Sequence, residues 1–282
     1  MQDAADLELQ KEPPPVIGPP ARRPPSFIPL IVGAVVVVAA VAGYIYLQRN
    51  TPAPASSEGS VSTEAAVAPK APLGAEVEPI ELPPLDASDE LVRKLVRALS
   101  THPRVSAWLA TDGLIRNFTV VVDNIAAGRT PAGHLRGLRP TGPFAVVEDP
   151  GGSVVIDPRS YNRYDDLAAA TASVDPDGAA KLYSMLKPRI EEAYRDLGER
   201  GSFDVVLETA IVRLLEAPAV GGEIALVPRG ALYNFNDPRI ERLTQAQKQL
   251  VRMGPRNVGI IQRQLRQIAG ALGIPADRLP RR

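Results

Sequence analysis

Asp112-Gly113-Leu114-Ile115-Arg116-Asn117-Phe118-Thr119-Val120-Val121-Val122-Asp123-Asn124-Ile125 is followed closely by Gly128. Its apolar residues recur at helical spacing. Asp112 offers a carboxylate to cap the first turn, and Gly128 suits the left-handed residue that ends a helix. The helix predicted here is apolar nearly all round, and such a helix belongs in the interior of a bundle. The expectation it sets for its neighbourhood is a mainly α domain.

The chain on the C-terminal side agrees. Residues 129–143 are a loop punctuated by Gly and Pro. Phe144 to Val147 and Ser153 to Ile156 flank Asp149-Pro150-Gly151-Gly152, which predicts one small β-hairpin, the main strand signal of the domain. Asp157-Pro158 and Asp175-Pro176 each read as a helix start with proline in the first turn. The second of these helices carries Leu182, Tyr183, Leu186, Ile190, Tyr194 and Leu197 at core spacing, with Pro188 expected to kink or break it. Ser202 caps a helix that runs to Leu214-Leu215, and Glu223 to Val227 reads as a short extended piece. Thr244 caps another helix that ends at Gly254, and Pro255 opens the last. There Val258, Ile261, Leu265, Ile268 and Leu272 form a stripe opposite Arg256, Arg263 and Arg266. That stripe suits core packing; docking on a partner helix or a membrane is the other reading. Seven or so helices with little strand define a multi-helix globular domain.

On the N-terminal side, Ser88 is expected to cap a helix carrying Leu91, Val92, Leu95, Val96 and Leu99, and a short segment holds Val105, Trp108 and Leu109. Farther out, Phe27 to Leu47 is an unbroken apolar run without a charged residue, about the ~20 residues a helix needs to cross a bilayer. It is longer than the ~7–15-residue core of a cleavable signal peptide. We read it as a single-pass transmembrane helix with Tyr44 and Tyr46 in the interfacial belt. Lys11, Arg22 and Arg23 precede the run and Arg49 alone follows closely, so the positive-inside rule places the N-terminus in the cytoplasm. The expected organisation is a disordered tail (1–26), the membrane helix (27–47), a linker rich in Pro, Ala and Glu (48–84), a helical domain (85–275) and a basic tail (276–282).

Composition removes several chemistries. The chain has 282 residues and no cysteine, which excludes disulfides, thiolate nucleophiles and Cys-ligated zinc. Lys and Arg total 32 and balance 32 Asp and Glu, but from Gln245 onward the only acid is Asp277. A basic end of this kind suits an anionic surface or, more simply, a solvated helix face. No phosphate-cradling loop, dinucleotide fingerprint or nucleophile elbow occurs. His102 and His134 stand beside loop residues without spaced acidic partners, and Asp175-Pro176-Asp177-Gly178 lacks the oxygen ladder of a calcium loop. No cofactor, metal or nucleic acid is expected.

One polar group stands out. Arg116 and Asp123 lie two turns apart on one side of the apolar helix, with Asn124 beside them. An acid there must be paired, as a buried ion pair or a lock at the helix end. The functional alternative is a polar floor for a ligand pocket, with Tyr161, Tyr164 and Asp165 as further lining residues.

Several pieces resemble a known family. They are Leu82-Pro83-Pro84-Leu85-Asp86-x-Ser88-Asp89, the Asp112–Asn124 segment and Tyr161-x-Arg163-Tyr164, then Gly201-Ser202-Phe203 and Gln247-Lys248-x-x-Val251-Arg252-Met253-Gly254-Pro255. Together they resemble the bacterial domain-of-unknown-function family DUF3014 over most of residues 80–270. The resemblance implies a bacterial protein with one N-terminal membrane helix and an uncharacterised domain; it brings no activity and no site residue. The resulting expectation is an inner-membrane protein with a periplasmic domain in a non-catalytic binding or scaffold role. Its partners would be an envelope protein or the cell-wall polymer. Self-association is a further expectation, through Ala39-x-x-x-Gly43. The alternative is an envelope enzyme acting on a glycan or peptide through carboxylates such as Asp123.

Overall fold

The computed structural model describes residues 72–230 and 232–281. The expected cytoplasmic tail, membrane helix and most of the linker lie outside the described residues. Those described form ten α-helices and one four-stranded antiparallel sheet. The helices are α1 (Asp89–Leu99), α2 (Pro103–Leu109), α3 (Leu114–Ala126), α4 (Arg159–Asn162), α5 (Asp165–Ala172), α6 (Pro176–Asp196), α7 (Phe203–Leu215), α8 (Pro238–Glu241), α9 (Gln245–Val251) and α10 (Pro255–Ala271).

Helix α3 is the segment the sequence marks first, and it packs chiefly on α7 and α6. Its cap is not the one expected. Gly113 takes the N-cap position in the left-handed conformation, and no side chain of its own loop caps the helix. Instead Asp89, from the first turn of α1, accepts from the Gly113 and Leu114 amides at 2.8 Å each. Asp112 is turned outward to Arg93, whose guanidinium also donates to the Leu109 and Thr111 carbonyls. A carboxylate at the positive end of a helix stabilises it whichever part of the chain supplies it. Only Leu114, Ile115, Thr119 and Val122 of α3 are fully buried, so the helix is less enclosed than its composition implies.

Helices α3, α6 and α7 meet at Phe203, which is fully buried between Phe118 and Tyr194 with ring centroids 5.9 and 5.5 Å away. The expected caps are present on three helices. Asp175 accepts from Gly178 at α6, Ser202 accepts from Asp204 at α7, and Thr244 with Gln247 forms a reciprocal capping box at α9. Helix α6 runs through Pro188 without a break. Proline removes one backbone donor there, but Leu186 and Ile190 on either side are buried and hold the helix in register.

Residues 72–84, read from sequence as the end of a linker, lie against this bundle. Leu73 is buried, Leu82 packs on the main core, and Arg189 of α6 donates to the Leu82 and Pro83 carbonyls at 2.9 and 2.8 Å. The Gly74 amide donates to Leu272 at 3.0 Å. Gly74 has φ +114°, and a Cβ there would meet Ser184, so the chain passes α6 only because this position is glycine. Past α10, Ala276–Arg278 forms a turn, Leu279 packs on the core, and Arg266 holds the Pro280 carbonyl at 2.8 Å. Most of the expected basic tail is therefore part of the domain. The apolar stripe of α10 is likewise in the interior, with Val258, Ile261 and Leu272 buried.

The predicted hairpin is β1 (Val146–Glu148) with β2 (Val154–Ile156), paired Val146 to Ile156. It is half of a larger sheet. The expected extended piece becomes β3 (Ala225–Arg229), and an unanticipated β4 (Leu232–Phe235) completes the order β1-β2-β3-β4. The sheet buries Ile156, Leu226 and Phe235 against Ile240 and Val251, a second core separate from that of the helices.

Candidate functional site

The six polar residues singled out in the sequence fall into two groups, with no hydrogen bond or ion pair joining them among the described residues. On α3, Arg116 does not pair with Asp123. It reaches Asp196 at the end of α6 and Asp86 before α1, and these two carboxylates hold its guanidinium above the ordinary value. Asp123 is bound by Arg129, 2.7 Å away just past the helix end, and the same guanidinium donates to Asn124 at 2.8 Å. Asn124 in turn donates to the Val120 carbonyl. This is the helix-end lock: Arg129 neutralises the acid and ties the last turn to the loop that follows.

The second group joins α4 and α5 to α10. Asn257, almost fully buried, donates through Nδ2 to the Tyr161 carbonyl and to Asp165, both at 3.0 Å. Arg256 meets the other Asp165 oxygen at 3.3 Å. The Tyr161 ring lies against Gly254, where a Cβ would be 2.5 Å from Tyr161 Cγ and φ is +83°. Partial burial raises the Tyr161 hydroxyl above its ordinary value. Tyr164 is buried, and its hydroxyl accepts from Arg163 at 3.0 Å and Gln249 at 3.2 Å. These contacts make a clasp between elements. None of the six residues lines the cavity described next.

Two features were not legible as a site. The first is an acid inside the bundle. Asp204, in the first turn of α7 and only 7 % exposed, accepts from the Tyr183 hydroxyl (2.6 Å), the Lys187 ammonium (2.6 Å) and the Leu73 amide (3.1 Å). Burial works to raise its carboxyl. The bonds from Lys187, Tyr183 and Leu73 outweigh that and hold it below the usual carboxylate value. Burial, then the Asp204 carboxylate, pushes the Tyr183 hydroxyl far upward. The network fastens segment 72–75 to α6 and α7.

The second is a partly open cavity of about 450 Å³ lined by α1, α2, α3, α5, α6, α7 and α10. Trp108, Phe118, Ile125, Leu167, Ala210 and Leu265 are among its lining residues. The polar groups its walls carry are engaged elsewhere. The Trp108 indole N–H donates to Asn117 at 3.3 Å, the Thr171 hydroxyl to Leu167 at 2.9 Å, and the Tyr183 hydroxyl to Asp204. What faces the space is hydrocarbon. Protein interiors are otherwise close-packed, with few voids larger than a water. The volume is also within the ~300–1,000 Å³ of small-molecule sites.

Among the described residues no helix is long and apolar enough to cross a membrane, and no cluster of three or more His, Asp or Glu is placed to hold a metal ion.

Fold and cavity together define a mainly α domain with a small antiparallel sheet and an apolar chamber of ligand size. The chain belongs to the family described as Protein of unknown function (DUF3014), whose model matches residues 114–269, from the first residue of α3 into the last turn of α10. No curated protein and no solved structure matches it.

Proposed function

We propose that this protein is a non-catalytic binding protein of the bacterial cell envelope whose ligand is apolar and enters the helical domain. The observation that carries the reading is the 450 Å³ cavity with a hydrocarbon wall. A chamber of this kind offers no hydrogen bond to a sugar or a peptide, so desolvating either would cost more than the contacts return. It rewards burial of apolar surface at about 25 cal/mol per Å². Asp123 is held by Arg129, which leaves the carboxylate-based enzyme reading without support from geometry.

The setting comes from the sequence. Phe27 to Leu47 anchors the chain in the inner membrane, with the N-terminus cytoplasmic and the domain periplasmic. An apolar ligand suits that setting, because the bilayer that holds the anchor stores such molecules.

Trp108 gives a direct test, since it is the only tryptophan in the chain and lines the cavity. A bromoalkane quenches indole fluorescence on contact. With the full chain in lipid nanodiscs, 1-bromodecane is expected to quench Trp108 saturably, at concentrations where soluble bromide ion does not. Quenching that rises linearly without saturation would sink the proposal.

A further inference from the structure

One part of the cavity's lining belongs to a loop that carries charge. Leu138, one of its lining residues, belongs to the loop 129–143, which is otherwise largely exposed. The loop contains Arg129, His134, Arg136 and Arg139 and no acid. Arg136 and Arg139 flank Leu138 in a single 3₁₀ turn and its cap. Both are exposed, and neither side chain has a hydrogen bond or ion pair among the described residues. Arg104 precedes the lining residue Val105; it donates to the Arg139 carbonyl at 3.3 Å and pairs with Asp166 at 3.6 Å. Arg104 thereby fixes the turn at the edge of the cavity, beside the exposed Arg136 and Arg139.

We infer that the ligand is a single acyl chain with a terminal anion, its chain in the cavity and its head between Arg136 and Arg139. This deepens the binding role proposed above and rests on it. The chamber supplies the length: a methylene occupies roughly the ~30 Å³ share of a water, so the volume admits on the order of 10–15 carbons. The arginines supply the charge complement, because guanidinium groups bind carboxylates through parallel N–H donors. A neutral hydrocarbon would leave this pair without a counter-charge. A two-chain lipid would not fit the chamber.

The test uses dodecanoic acid brominated at mid-chain, and its methyl ester, against the full chain in nanodiscs with Trp108 as reporter. The acid is expected to bind at least tenfold more tightly than the ester, by an amount that shrinks in high salt. The double variant Arg136→Gln, Arg139→Gln is expected to abolish that preference while binding the ester as the parent does. Both side chains are exposed and make no hydrogen bond or ion pair among the described residues, so a thermal melt matching the parent's is the folding control. Equal affinity for acid and ester, or a preference that survives in the double variant, overturns the inference. If 1-bromodecane quenches and neither dodecanoyl probe does, the acyl assignment fails and the cavity reading stands; if no probe quenches, both fail.

Discussion

Replacing Asp204 by alanine lowers the stability of the domain by about 4 kcal/mol, the range for removing one partner of a buried charge pair. For a domain of this size the melting temperature falls by roughly 10 °C. The loss is large because three donors converge on one carboxylate and are orphaned together: the Lys187 ammonium, the Tyr183 hydroxyl and the Leu73 amide. It also loosens segment 72–75, which keeps the Gly74 to Leu272 hydrogen bond and the burial of Leu73. Acid titration reports the same network. Because the Asp204 carboxyl is lowered in the folded state, its contribution is complete above the ordinary carboxylate value near ~4 and disappears as pH falls through the folded-state value. Tyr183, raised in the folded state, acts in the opposite direction. Its contribution is complete below the ordinary phenol value near ~10 and is lost as pH climbs beyond it. Thermal melts across pH check both limbs, and Asp204→Asn is expected to flatten the acid one.

The paired substitution Ala170→Leu and Ala210→Leu separates a true cavity from an ordinary core. Both alanines are buried and line the space, on α5 and α7 respectively. In a close-packed interior, added methylenes force strain costing about 1–3 kcal/mol per site. In a chamber of 450 Å³ they fill emptiness, and cavity filling commonly adds about 0.5–2 kcal/mol. Leucine is nearly as good a helix former as alanine, so the backbone contributes little to the difference. The account predicts a higher melting temperature, by about 3 °C, with loss of saturable quenching by 1-bromodecane. A melt that drops by several degrees would mean the cavity is already packed.

What could be read from the sequence followed from local chemistry. The caps at Asp175, Ser202 and Thr244 and the hairpin around Asp149-Pro150-Gly151-Gly152 each depend on residues only a few positions apart. Strand β4 was missed because Leu232-Tyr233-Asn234-Phe235 is too short to show a period and is defined by its pairing with β3. The cap on α3 differs from the expected one because its acceptor, Asp89, comes from another helix. Arg116 and Asp123 share a helix side, yet each found a partner elsewhere: Asp86 and Asp196 for one, Arg129 for the other. Spacing on a helix limits which residues are near one another but does not choose among the charges that tertiary packing brings closer. The cavity was illegible for a different reason. Its wall is built of residues such as Phe118, Leu186 and Leu265, which have the same apolar spacing whether they touch each other or surround a space.

The most direct measurement is a crystal structure of the protein determined under xenon pressure, because xenon enters dry apolar chambers and marks them with strong scattering. The account predicts xenon bound among Phe118, Ile211 and Leu265, with the surrounding helices unmoved. Helices closed upon one another, with side chains filling the interior and no xenon between them, would contradict it.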